Sequence, residues 1–123
     1  MIGYVTIGTN DLARAEKFYD ALLAELGGKR VMANDRMRFY GAGPGQPLVA
    51  VCTPADGKKA TVGNGTMVAL AAGSKEAVDR VYEKAIALGG IDEGAPGQRS
   101  PSFYGGYFRD LDGNKLVAFV MGR

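Results

Sequence analysis

Phe103-Tyr104-Gly105 repeats an earlier tripeptide, Phe39-Tyr40-Gly41, 64 residues further along the chain. The double glycine Gly27-Gly28 returns as Gly89-Gly90 at a similar distance, 62 residues. The third repeat, 68 residues apart, joins two strand-like tetrapeptides, Leu48-Val49-Ala50-Val51 and Leu116-Val117-Ala118-Phe119. Because the three matches come in the same order at similar spacings, they predict two copies of one structural unit.

Each copy begins with a strand pattern and continues with a helix pattern. Residues 2–8 alternate with a period of two, and residues 66–71 form a second strand-like run. Asn10-Asp11 and Ser74 supply candidate N-caps, and the double glycines supply candidate stops. Between cap and stop, apolar residues recur at helical spacing: Leu12, Ala15, Phe18, Tyr19, Leu22, Leu23 and Leu26, then Ala77, Val78, Val81, Tyr82, Ala85, Ile86 and Leu88.

Further strands are predicted after each helix. Their ranges are 29–33, 36–40 and 47–53 in the first copy and 104–109 and 114–121 in the second. Asp112-Gly113 predicts a hairpin between the last two strands. The first copy has the order β-α-β-β-β, the repeats suggest the same unit in the second copy, and together they indicate the α+β class. Two copies are too few for a solenoid, so we expect one domain made of two modules, residues 1–56 and 63–123.

Strand alternation divides the side chains into two faces. One face is expected under the helices and holds Val5, Ile7, Leu48, Ala50, Cys52, Val68, Leu70, Phe108, Leu116 and Ala118. The opposite face is expected to hold Tyr4, Thr6, Arg38, Tyr40, Val49, Val51, Met67, Ala69, Tyr107, Arg109, Val117 and Phe119. Its mostly apolar composition with a few polar tips is typical of a small-molecule pocket. A second packed core or a dimer interface is the alternative interpretation.

Composition excludes several classes of protein. Lys and Arg number 15 against 13 Asp and Glu, a net charge of +2, which argues against a nucleic-acid binder. Cys52 is the single cysteine, so no internal disulfide forms, and we expect a buried, unreactive thiol there. No apolar run approaches the ~20 residues of a membrane span, and the opening residues lack the basic flank of a signal peptide. A cytoplasmic location is therefore expected.

The chain contains no histidine. A Ser-His-Asp triad, a Cys-His pair and a histidine-rich metal site are excluded for that reason. The carboxylates fall in predicted helices, caps or turns, and none is predicted on the pocket side of a strand. Arg99-Ser100-Pro101-Ser102 is interpreted as a loop, either a specificity loop or a plain solvated one. Arg109 is expected either to bind an anionic ligand group or to pair with Asp110 or Asp112.

The chain resembles the vicinal oxygen chelate superfamily, the group of glyoxalases, bleomycin resistance proteins and extradiol dioxygenases. The resemblance covers nearly the whole chain, and two stretches carry it best. They are the opening Ile2-Gly3-Tyr4-Val5-Thr6-Ile7 before Asn10-Asp11-Leu12, and the hairpin Phe108-Arg109-Asp110-Leu111-Asp112-Gly113-Asn114-Lys115-Leu116. It implies two βαβββ modules that form a half-open mixed β-barrel around a cavity, with the helices outside, and a homodimer.

The resemblance also implies where family members hold their metal ion. Those positions correspond here to Tyr4, approximately Val49, Met67 and Val117. None is a workable ligand for a hard or borderline divalent metal, so we expect no metal and no cofactor. Metal-dependent glyoxalase or dioxygenase chemistry is accordingly not expected.

Three functions stay open from the sequence. The first is binding of a small organic molecule in an apolar, tyrosine-lined cavity, with candidate residues Tyr4, Arg38, Tyr40, Met67, Tyr104, Tyr107 and Val117. The second is a metal-independent lyase or isomerase with Tyr4 or Tyr107 as the acid and an arginine as the oxyanion partner. The third is an interaction module with closed grooves. No residue is assigned a catalytic role, and neither nucleic acid nor membrane is expected as a partner.

Overall fold

Two four-stranded mixed sheets, each with one helix, make up the protein, and the computed structural model describes residues 1–122. Unit 1 is Met1–Gly63, and unit 2 begins at Asn64. The elements of unit 1 are β1 (Tyr4–Gly8), α1 (Leu12–Ala24), β2 (Lys29–Ala33), β3 (Met37–Gly41) and β4 (Leu48–Cys52). Those of unit 2 are β5 (Val68–Ala71), α2 (Lys75–Ala87), β6 (Ile91–Ser100), β7 (Phe103–Arg109) and β8 (Lys115–Met121).

Both sheets have the same topology. The strand orders are β1-β4-β3-β2 and β5-β8-β7-β6. The first and last strand of each unit pair in parallel, and the other neighbours pair antiparallel. The predicted α+β class with a repeated βαβββ order is confirmed. No helix within residues 1–122 combines the length and the apolar character that crossing a membrane requires.

The helices begin at the predicted caps. The Asp11 carboxylate accepts a hydrogen bond from the backbone N–H of Arg14 at 3.1 Å. The Ser74 hydroxyl accepts one from the backbone N–H of Ala77, also at 3.1 Å. Each bond satisfies one of the N–H groups that a helix start leaves unpaired.

The repeated double glycines end the two helices in the same way. Gly27 and Gly89 have φ values of 74° and 103°, a region that glycine adopts without steric cost. The N–H groups of Gly28 and Gly90 then bond back into the helices, each at 2.8 Å. This reversal sends the chain into β2 and β6 and explains why the sequence repeats both glycines.

One face of each sheet, the helix face, packs on the helix of its unit, and the opposite one is called here the far face. The helices bury Ala15, Phe18, Tyr19, Leu22 and Leu23 in unit 1, and Ala77, Val78, Val81 and Ala85 in unit 2. Full burial of a large apolar side chain contributes about 1.5–3 kcal/mol. These contacts with the helix faces are the core of each unit.

The tyrosines of the repeated tripeptides join sheet to helix. Tyr40 donates a hydrogen bond to Asp20 on α1 at 2.8 Å and lies 3.3 Å from the carbonyl of Glu16. Tyr104 donates to Asp79 on α2 at 2.7 Å. The two tyrosines therefore belong to the helix faces, each tying a central strand to a carboxylate of the helix.

The phenylalanines of the same tripeptides lie on the far faces. Phe39 meets Tyr4 edge-on, with ring centroids 5.3 Å apart, and Phe103 stacks on Phe119 at 5.4 Å. A side chain at Gly105 would collide with the Phe103 ring, because a Cβ there would lie 2.8 Å from it. The repeat is thus one packing arrangement used twice.

The predicted faces are right in unit 2 and wrong for part of unit 1. In unit 2, Leu116 and Ala118 pair with Val68 and Leu70 on the helix face, as predicted. In unit 1, Val49 and Val51 pair with Val5 and Ile7 and lie on the helix face, so Leu48, Ala50 and Cys52 take the far face. β4 is apolar at every position, so its sequence has no polar residue to mark which face is which. Cys52 is buried, as predicted.

Arg99-Ser100-Pro101-Ser102 was predicted as a loop, which is right for the turn at Pro101 and Ser102 and wrong for Arg99 and Ser100, the last residues of β6. The strand runs from Ile91 to Ser100 along β7 with three shifts of register. Its Gly94, Pro96 and Gly97 are residues that normally mark loops, and they are accommodated here by the irregular pairing.

We expect Tyr40→Phe to destabilise the protein by about 1–2 kcal/mol, because it removes a buried hydrogen bond to a carboxylate. Tyr104→Phe should cost less, since Tyr104 is only half-buried, whereas Tyr40 is 2% exposed. Urea unfolding of both variants measures the difference. Equal losses would contradict the greater role given to Tyr40.

We also expect an alkaline pH dependence that comes from Tyr40. Burial, and then the hydrogen bond to Asp20, raise the pKa of Tyr40 above its ordinary value. Folding therefore disfavours the phenolate, so this contribution to stability is complete below about pH 10 and is lost as the pH rises further. The free energy of unfolding should fall more steeply above about pH 10 in the parent protein than in Tyr40→Phe. Parallel curves would refute this assignment.

Candidate functional site

The four positions implied for a family metal do not form a ligand set. Val49 lies on the helix face of unit 1, as the partner of Val5 and Tyr40, so its placement on the pocket side is wrong. Val117 is on the far face of unit 2 and is fully buried. Tyr4 is exposed beside Phe39, and Met67 is exposed just before β5.

The residues that do face away from the helix at these strands fit a divalent metal no better. On β4 they are Leu48, Ala50 and Cys52, of which only the buried thiol is a potential donor. Within residues 1–122, no group of three or more Cys, Asp and Glu side chains is arranged to hold a metal ion. The side chains at these strand positions include no carboxylate.

Arg38 and Tyr40 were predicted on the pocket side, and the structure places them on the helix face instead. Arg38 lies with its Nε 3.5 Å from Glu16 and donates to the carbonyl of Asn34 at 2.6 Å. Arg30 on β2 pairs with Glu16 and with Asp20, the latter at 2.8 Å. These groups form an electrostatic network between α1 and the sheet.

Tyr104 is likewise oriented to a helix. Its hydroxyl is hydrogen-bonded to Asp79, and this bond is the first cause that raises the pKa of Tyr104. The Lys75 ammonium lies 5.3 Å from the centre of the ring. Tyr104 is thus separated from Tyr107, which is on the opposite face of the same strand.

Tyr107 is the predicted residue that lines a surface depression. It lies half-buried on the far face of unit 2, in an open depression of about 630 Å³. The Arg99 guanidinium is 5.4 Å from the centre of its ring, and the Lys115 ammonium is 5.6 Å from it. The lining residues are Glu93, Gly94, Ala95, Arg99, Tyr107 and Lys115. This lining is more polar and more cationic than the apolar, tyrosine-lined cavity expected from the sequence.

Arg99 is held in place by the irregular backbone of β6. Its Nη2 donates to the carbonyl of Ala95 at 2.6 Å. A Cβ at Gly97 would lie 2.9 Å from Nη1, and one at Gly94 would lie 3.2 Å from Nη2. The two glycines leave the space in which the guanidinium lies beside Tyr107.

The charges around Tyr107 are not balanced. Arg109 donates to Glu93 at 3.2 Å and to the carbonyl of Gly113 at 3.0 Å, so these two charges compensate each other. Among the described residues, no carboxylate lies within ion-pair distance of Arg99 or Lys115. We call Glu93, Arg99, Tyr107, Arg109 and Lys115 the Tyr107 cluster.

Asp110 and Asp112, the expected alternative partners of Arg109, serve the hairpin instead. One oxygen of Asp110 accepts from the backbone N–H groups of Asp112 and Asn114, each at 2.9 Å. Its other oxygen accepts from the Asn114 amide, also at 2.9 Å. These bonds confirm the predicted hairpin and leave Glu93 as the partner of Arg109.

Two members of this cluster, Glu93 and Lys115, were not predicted, and Arg99 was predicted only as part of a possible specificity loop. Glu93 was assigned to a turn, although it lies on β6 and faces Arg109, and Arg99 was assigned to a loop. Lys115 was not singled out, although it pairs with Arg109 across the β7–β8 hairpin. The alternation of Tyr107, Arg109 and Lys115 around the Asp112-Gly113 turn is the signal that places both cations on the face of Tyr107.

Comparison with known proteins adds the family. A model of the Glyoxalase/Bleomycin resistance protein/Dioxygenase superfamily matches residues 1–118. A glyoxalase/bleomycin resistance protein from Albidiferax ferrireducens T118 is 42% identical, with 97% of each chain covered and a TM-score of 0.89. No match is found among the curated proteins.

More distant structures share the fold. Hypothetical protein SA1046 from S. aureus is 26% identical, covers 98% of this chain and 92% of its own, and has a TM-score of 0.74. A lactoylglutathione lyase from Agrobacterium tumefaciens is 22% identical over 97% of this chain and 92% of its own, with a TM-score of 0.70. The family model spans nearly the whole length, and the expected resemblance is confirmed: the chain belongs to the Glyoxalase/Bleomycin resistance protein/Dioxygenase superfamily.

Proposed function

We propose that this protein binds a small organic molecule on the far face of unit 2, and that it does so without the metal ion of its family. The observation that carries the proposal is the depression around Tyr107. Its volume of about 630 Å³ lies within the roughly 300–1,000 Å³ that small-molecule sites occupy. An aromatic ring with polar groups converging on it is typical of such sites.

The residue types at the family positions support the metal-free part of this proposal. Tyr4, Met67 and Val117 offer one phenol, one thioether and one hydrocarbon side chain. Hard divalent metals prefer carboxylate ligands, borderline ones also prefer imidazole, and the chain has no histidine. Binding in this protein would then depend on the Tyr107 cluster instead of a metal.

A metal-independent lyase or isomerase is the second candidate, and one observation favours it. Tyr107 lines the depression together with Glu93, so a hydroxyl acid and a carboxylate share one site beside two cations. Those cations would stabilise a developing oxyanion. Retained binding with lost turnover in Tyr107→Phe, on any substrate found, would favour this candidate over simple binding.

We expect Tyr107→Ala to abolish the binding of fragments that the parent protein binds, because it removes the ring at the centre of the depression. A fragment screen by NMR, with shifts mapped to residues, measures this. Tyr4→Ala is the matched control, since Tyr4 is an exposed tyrosine on the far face of unit 1 and should leave binding unchanged. Fragments that bind equally to both variants would place the site elsewhere.

We also expect binding to survive removal of metal ions. Protein dialysed against a chelator should bind the same fragments within about twofold of the untreated protein, because no donor set at the family positions would hold an ion. Titration calorimetry before and after chelation measures this. Loss of binding that returns on adding zinc, nickel, iron or manganese would refute the metal-free proposal.

Several other expectations remain predictions. They are a homodimer, a cytoplasmic location, an arrangement of the two modules around a shared cavity, and ligand contacts by Tyr4, Met67 and Val117. Size measurement in solution, and fragment shifts at these three residues, would test the first and the last of them.

A further inference from the structure

We infer that the ligand of the Tyr107 cluster is an organic acid: a carboxylate joined to an apolar body. This inference rests on the proposed function and names the chemical class that the site selects. The cluster supplies the charge for the carboxylate. The far face of the same sheet supplies apolar contacts for the body.

The first argument is the surplus of positive charge. Arg109 is compensated by Glu93, whereas Arg99 and Lys115 have no carboxylate partner among the described residues. Both remain accessible, since Arg99 is exposed and Lys115 half-buried. An anion that binds to either cation gains a charge-assisted contact without displacing an ion pair of the protein.

The second argument is preorganisation. The bond from Arg99 to Ala95 and the space left by Gly94 and Gly97 fix the guanidinium before any ligand arrives. Ordering an arginine side chain costs conformational entropy. Because the fold already orders Arg99, ligand binding does not include this cost. Within residues 1–122, the Arg99 side chain makes its hydrogen bond through Nη2, so its Nε and Nη1 groups can donate to a carboxylate.

The third argument is the change of character along the far face. β7 and β8 present Tyr107, Arg109 and Lys115 at one end, and Phe103, Phe119 and Met121 at the other. The stacked pair Phe103–Phe119 and the exposed Met121 form an apolar surface there. Phe119 pairs with Gly105, which is two residues from Tyr107 along β7, a distance of roughly 7 Å. A compact aryl acid is long enough to reach from the cluster to the Phe119 ring.

Phenylpropanoate and its neutral analogue phenylpropanamide are the probes that test this inference, with inorganic phosphate as a third. Calorimetry at low and high salt should show that the acid binds at least about tenfold more tightly than the amide. Affinity for the acid should fall with salt because the contacting charges are partly exposed. Phosphate should bind more weakly than the acid, since it has no apolar body.

Variants of the cluster test whether its charges cause the tighter binding of the acid. Lys115→Gln and Arg99→Gln should each weaken binding of phenylpropanoate about tenfold and leave the amide nearly unchanged. Gly97→Ala should weaken the acid in the same way without a change of charge, because it displaces the guanidinium of Arg99. Lys115→Arg, which keeps the charge, should restore most of the affinity. Thermal melting confirms that each variant is folded.

Lys75→Gln is the matched control. Lys75 also lies over a tyrosine ring in unit 2, at 5.3 Å from the centre of Tyr104, but on the helix face. The same loss of charge at this position should change the affinity less than about twofold, since only a long-range effect remains.

The outcomes separate the two proposals. If the amide binds as tightly as the acid at Tyr107, and the charge variants change nothing, the site stands and the organic-acid class is refuted. If phosphate binds as tightly as the acid, the apolar body is refuted. If no acid, amide or other fragment shifts the resonances of the cluster, both the inference and the proposed function fail.

Discussion

Parallel pairing between the first and last strand of each unit is the constraint on which the remaining structure depends. β1 lies beside β4, and β5 lies beside β8, so the chain must pass over the sheet once before it returns. The helix makes that passage and covers one face of the sheet. The pairing also decides which side chains share a face, because partners across a ladder point the same way. The hydrogen bonds of Tyr40 and Tyr104 then join helix and sheet.

The helix ends and the last hairpin could be predicted from the sequence, because particular residue types mark them. The caps Asp11 and Ser74, the double glycines and the Asp112-Gly113 turn are each required by a local backbone geometry. Sequence matches that recur at similar spacings predicted two copies of one structural unit without any knowledge of contacts. The family followed from the same repeated order.

The faces of the sheet in unit 1 and the members of the Tyr107 cluster were harder to predict from the sequence. β4 is uniformly apolar, so only its pairing with β1 shows that Val49 and Val51 meet the helix. β6 contains residues typical of loops, and only tertiary pairing with β7 makes it a strand. Glu93 and Arg99 lie on β6, so two charged members of the Tyr107 cluster were placed outside any strand. The face of Tyr107 was predicted correctly, because regular alternation holds along β7.

The irregularity of β6 has a consequence for association between molecules. β6 is the edge strand of its sheet, and an edge with free backbone groups invites strands from other chains. Pro96 offers no N–H group, and Gly94, with a φ of 146°, turns the backbone out of the regular ladder. A foreign strand therefore finds no continuous row of donors and acceptors to extend. The irregular backbone that positions Arg99 thus also protects the edge strand from the addition of strands from other molecules.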